Sequence, residues 1–215
     1  MRPVRFFLST LLASALPAAA QNVVGEAYTV DGSELRYREM HSCTASGEEC
    51  LVEYRYPEGK LFARKHINYS ESQQSPSLRI EDLRAGETVL IDRAFDEEVV
   101  VDAGFDHYVR LRWTELADGE GVNFPFLVAG RDKPLKMLAR KDDDGNCPAR
   151  RLCLEITLDN WLLAAIVSPI ELEYDEASRR LLQFKGISNI RDDEGKSQDV
   201  RIIYRYADEL ADTAS

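Results

Sequence analysis

The residues best equipped for chemistry in this 215-residue chain are three histidines, four cysteines and a surplus of carboxylates. His41, His66 and His107 stand far apart, with no HxH or HxxxH pair to bring two imidazoles onto one metal ion. The serines sit in neither a GxSxG elbow nor an SxxK motif with its partners. Acidic runs occur at Glu97-Glu98, Asp142-Asp143-Asp144 and Asp192-Asp193. Adjacent carboxylates on a strand point to opposite faces, so they cannot flank one bond as acid and base. A calcium loop counted from Asp142 would place Cys153 where the bidentate Glu belongs. No catalytic residue, metal site or cofactor is therefore expected, and the chain reads first as a binding or structural protein, with an enzyme of unrecognised type as the third reading.

Cys43, Cys50, Cys147 and Cys153 allow three pairings. The short spacings, across turn-like residues, favour Cys43–Cys50 and Cys147–Cys153. Each such bridge is worth about 2.4 kcal/mol by chain entropy, enough to pin a local hairpin. Neither pair is CxxC, which argues against thiol exchange. Bridged cysteines need an oxidising compartment, and the N-terminus points to one. Arg2 and Arg5 precede an apolar run from Phe6 to Leu16, then Pro17 and Ala18-Ala19-Ala20. These are the three parts of a secretory signal. The run covers only about half of a ~30 Å hydrocarbon core, so it is read as a cleaved leader and not as an anchor. Residues 1–20 are expected to be removed, leaving a soluble periplasmic chain, residues 21–215, with no membrane span.

The whole chain carries 27 Lys and Arg against 38 Asp and Glu, and loss of Arg2 and Arg5 leaves 25 against 38. That acidity opposes nucleic-acid binding, which needs a basic footprint.

Alternation with a period of two dominates the remainder. Val52, Tyr54 and Tyr56 oppose Glu53 and Arg55, and Ile170, Leu172 and Tyr174 oppose Glu171 and Glu173. Similar runs cover 61–69, 152–158 and 200–206, with Lys65 the one charged misfit on an apolar side. Polar Asp/Gly turns separate them. One apolar and one charged face mark antiparallel strands. The expectation is a single mainly β domain: a large curled antiparallel sheet, half-barrel or barrel, of about nine to eleven strands. One or two helices must cover its apolar face. An amphipathic helix is predicted near 103–117, with Asp102 as N-cap and Phe105, Tyr108, Val109, Trp113 and Leu116 on one side. A short apolar helix is predicted near 160–167. Between sheet and helices, Tyr54, Tyr56, Tyr69, Phe105, Trp113, Phe124, Phe126, Trp161 and Tyr174 are candidates to line an apolar pocket, or else to fill a core.

Several segments together resemble a family of uncharacterised exported proteins of Gram-negative bacteria. They are Leu35-Arg-Tyr-Arg-Glu39, Gly104 to Arg110, Asp159 to Leu163, Pro169 to Asp175 and Arg179 to Ile190. That resemblance transfers no catalytic residue. A second, architectural likeness is to periplasmic lipoprotein carriers and their receptors, which implies an open half-barrel with an apolar concave face.

Two functions suit this reading. The first is a non-enzymatic periplasmic protein that binds a lipid or acyl chain between sheet and helical cover. The alternative is a structural or interaction module of the cell envelope, with a filled core and a protein partner.

Overall fold

A computed structural model describes residues 22–208 of the protein, apart from 94, 96–98, 143, 144 and 161–167. The alternating segments form β1 (Asn22–Tyr28), β2 (Leu35–Cys43), β3 (Glu49–Arg55), β4 (Leu61–Asn68), β5 (Ser77–Asp82) and β6 (Glu87–Ile91). The two-residue β7 (Val100–Val101) leads into a 3-10 turn, Asp102–Gly104, then α1 (Phe105–Leu111) and α2 (Trp113–Ala117). The chain continues through β8 (Val122–Leu127), β9 (Leu135–Lys141), β10 (Arg151–Leu158), β11 (Ile170–Asp175), β12 (Leu181–Ile187) and β13 (Asp199–Tyr206).

All thirteen strands join one sheet in the order β6-β5-β4-β3-β2-β1-β13-β12-β11-β10-β9-β8-β7. The expected count of about nine to eleven was too low. Apart from the short β5, which alternates cleanly, the strands it overlooked have apolar residues side by side, as in Val23-Val24 of β1 and Leu181-Leu182 of β12, or carry Pro125 within β8. Such runs hide a period of two. Every neighbouring pair is antiparallel except β7 with β8, which is parallel. Beginning and end do not pair as strands, so the sheet stays open. The last strand leans instead on the loop before β5, where the Val101 amide donates to the Gln74 carbonyl at 2.9 Å.

The helix expected near 103–117 is broken in two. Arg112, at φ −93° and ψ 17°, interrupts it between α1 and α2. Asp102 is no N-cap: no side-chain cap bond is made at this end, and Val101 occupies the capping position. The apolar segment predicted near 160–167 lies, Asn160 apart, outside the described residues, as does the expected leader. Among the described residues no helix is long and apolar enough to cross a membrane. Both disulfides form as the spacing favoured, Cys43–Cys50 between directly opposed residues of β2 and β3 and Cys147–Cys153 at the start of β10.

Two cores fill the concave side. The first lies against β1–β6 and β13, and includes Tyr37, Val52, Tyr54, Phe62, Ile202 and, from the strap before the helices, Val99 and Val101. The second lies against β8–β11, where Tyr108, Val109, Trp113 and Leu116 of the helices meet Phe124, Met137, Leu154, Leu172 and Tyr174. Val100 points into the second core while its neighbours enter the first, so β7 is the wall between them.

Candidate functional site

The nine aromatic candidates do not line one space. Tyr54, Tyr56 and Tyr69 belong to the first core, and Phe105, Trp113, Phe124, Phe126 and Tyr174 to the second. Trp161 lies outside the described residues. The others are packed on one another. Tyr54 meets Tyr37 edge-on at 6.1 Å, Phe105 stacks on Phe124 at 5.4 Å, and Trp113 stands edge-on to Tyr174 at 5.8 Å. Tyr54 is 2 % exposed and Tyr174 0 %. Burial pushes both phenols well above their ordinary range near 10, so both stay protonated and neutral. The Tyr56 hydroxyl turns away from the interior and donates to Asp193 Oδ1 at 2.5 Å.

The polar groups that the sheet brings together were not on that list. Lys65 of β4 points to the concave side because its pair partners are Val52 and Ile80. Its Nζ donates to Asp102 Oδ1 at 2.5 Å, and both side chains are 6 % exposed. The other Asp102 oxygen accepts from Asn189 Nδ2 at 2.9 Å. Asp102 takes φ 36°, a left-handed backbone that costs a non-glycine residue about 1 kcal/mol or more. Two residues on, the strap passes so near the β5 approach that a Cβ on Gly104 would collide with the Gln74 carbonyl. Tyr69 closes this corner. Its hydroxyl reaches the Ala103 carbonyl at 3.4 Å, burial pushes its pKa up to about 12, and its ring meets His107 of α1 at 4.7 Å. Partial burial lowers the His107 pKa below its ordinary 6.5.

A second polar group sits across the same face. Glu39 of β2 is buried beside Tyr54 in the register, and its Oε2 accepts from Tyr204 Oη at 3.3 Å and lies 3.0 Å from His41 Nε2. Gly25, between Glu39 and Tyr204, leaves room for this contact. A Cβ there would stand 2.9 Å from the Tyr204 ring and 3.2 Å from Glu39 Oε2. Burial, then the Glu39 charge, raises the Tyr204 phenol well above 10.

Chemically, both groups hold rather than react. Lys65 and Asn189 each donate to one oxygen of Asp102, which fixes the carboxylate in place. Glu39 can orient His41, but a carboxylate–histidine pair needs a nucleophile or a metal to act on. Among the described residues no three His, Cys, Asp or Glu side chains gather to hold a metal ion. Lys65 was detectable in the sequence as the lone charge on an apolar stripe. Asp102 and Asn189 were not, because each meets its partner across the open space of the sheet.

Beyond the interior, a groove of ≈ 500 Å³ opens where β3 to β6 end, lined by His66, Ile67, Leu78, Arg79, Leu90 and Asp92 among others. No protein-family model matches the chain, and no curated protein matches it.

Proposed function

We propose that the protein is an exported, non-enzymatic interaction module of a bacterial cell envelope, working through its outer surface and sheet edge. The observation that carries this reading is the packing of the aromatic side chains on one another in both cores. Rings that fill each other's space speak against a resident lipid there, and the buried Lys65 and Asp102 neutralise each other. Recognition then falls to the surface. The periplasm is the compartment that suits two disulfides behind a secretory leader. In-cell crosslinking followed by native mass spectrometry tests it. The expected result is the bare protein mass, without lipid, together with one protein crosslinked in defined stoichiometry. A stoichiometric acyl-chain adduct on the purified protein would sink the reading.

That outcome would support the second reading, a carrier of a lipid or acyl chain. One observation favours it: the strap over the first core is latched by a polar pair on a strained residue, Asp102, and not by apolar contacts alone. Release of the latch would open the apolar concave face.

A further inference from the structure

The two ends of the sheet are unlike. At one end β7 is two residues long, and its outer side is occupied: Val101 donates to Gln74, and Ser75 Oγ contacts the Val99 carbonyl. At the other end, among the described residues, β6 pairs with β5 alone and no strand joins its outer edge. A free edge is a row of unpaired amides and carbonyls, and natural sheets usually guard it with charges in mid-strand. Here the middle is Val89-Leu90-Ile91, and Leu90 is 64 % exposed on the convex face. The charges stand at the two ends with opposite signs, Glu87 before and Arg93 after. Both are exposed, and among the described residues neither has an oppositely charged partner. Arg93 lies over the Phe95 ring and donates to the Asp132 carbonyl.

We propose that this edge pairs with the same edge of a second copy of the chain, antiparallel and centred on Leu90. The proposal rests on the reading of the protein as an interaction module and names its partner. A two-fold axis perpendicular to the sheet keeps concave side chains with concave ones, so it pairs residues two, four or six apart, or a residue with itself. Centred on Leu90, that register sets Leu90 against Leu90, Val89 against Ile91, Thr88 against Asp92, and Glu87 against Arg93 at both ends. Opposite charges facing across strands stabilise the pair, and like charges destabilise it. Moving the centre to Val89 or Ile91 removes the charge match. Val89 and Ile91 already pack on the first core, so the pairing would continue that core across the axis. A strand of this length offers roughly 17 Å of edge, which places the dimer at the weak end of specific interfaces, below about 1,200 Å².

Sedimentation equilibrium of the mature chain across the micromolar range tests this. The expected result is a reversible dimer. Leu90→Lys sets two ammonium groups on the axis and weakens it by at least about tenfold. Glu87→Arg and Arg93→Glu each weaken self-association, while an equimolar mixture of the two variants recovers a heterodimer, because opposite charges then meet at both ends. Recovery on mixing cannot come from a folding defect. A monomer at every concentration overturns the proposal, and so does a dimer indifferent to these changes. Either result would leave the interaction-module reading to its own crosslinking experiment.

Discussion

The two cores under this sheet are closed by different means. The half built on β8–β11 is covered by α1 and α2 over a mainly apolar contact: Val109 and Leu116 are fully buried in one core with Met137, Leu154 and Tyr174, and polar bonds from Tyr174 Oη to Asp106 and from Lys141 Nζ to the Ala117 carbonyl only add to it. The half built on β1–β6 is crossed by the short strap of residues 99–104, and both buried charged residues of the described chain, Glu39 and Lys65, lie on its face. An amphipathic helix presents a whole stripe of side chains and needs no specific pair to hold it. A strap of six residues presents few, so one ion pair has to fix where it lands. The difference teaches that the helical cover is secured by area and the strap by a latch.

The sharpest way to break this contrast is Lys65→Met, which leaves Asp102 buried with Asn189 as its one neutral donor. The expected loss in chemical denaturation is about 3–5 kcal/mol, the usual cost of orphaning a buried charge. Combining Lys65→Met with Asp102→Asn should recover most of it, since Asn tolerates the left-handed backbone and removes the charge. If the double variant is as unstable as the single one, the latch is not the stabilising feature of the strap. Hydrogen exchange of the Val101 amide, bonded to Gln74, reports whether the strap itself has loosened.

In the helical half the counterpart is Leu116→Ala. A fully buried leucine replaced by alanine costs about 3 kcal/mol, and here no second substitution by a smaller or polar residue should compensate. Removing Cys43–Cys50 by paired serine substitution should cost less, about 2.4 kcal/mol.

The smallest effect belongs to His107, where the two regions meet. Its folded pKa lies below 6.5 because burial penalises the imidazolium. The unfolded state therefore binds the proton more readily, so this residue's contribution is fully present above about pH 6.5 and is lost as pH falls toward the folded pKa. Denaturation between pH 7 and pH 5 should show a decline that His107→Gln flattens. An NMR titration of His107 with a midpoint at or above 6.5 would remove the physical basis.

Much of the architecture was legible beforehand because a residue's side on a strand is a local property. Val52 and Tyr54, or Leu172 and Tyr174, announce a buried face through their charged neighbours alone. The disulfides were legible for the same reason, since partners six and seven residues apart meet across one turn. Strands with little alternation, such as β8 and β12, were hidden by their own composition. The aromatic candidates were identified by type, but type does not distinguish a ring that lines a space from one that fills it. Nor did Asp102 reveal its role, since an acid ahead of a helix reads as a cap until a lysine is found beneath it.

By itself, then, the sequence determined an antiparallel mainly β chain, its acidity and an amphipathic cover, and it favoured the two local bridges, all of which depend on neighbours within a few residues. Only the tertiary structure decided that the sheet stays open, that the rings divide between two cores, and that Lys65 meets Asp102. The physical reason is separation. Lys65 and Asp102 lie 37 residues apart, and Asn189 a further 87. Whether such groups meet depends on the curvature of thirteen strands acting together, which no short stretch of residues encodes.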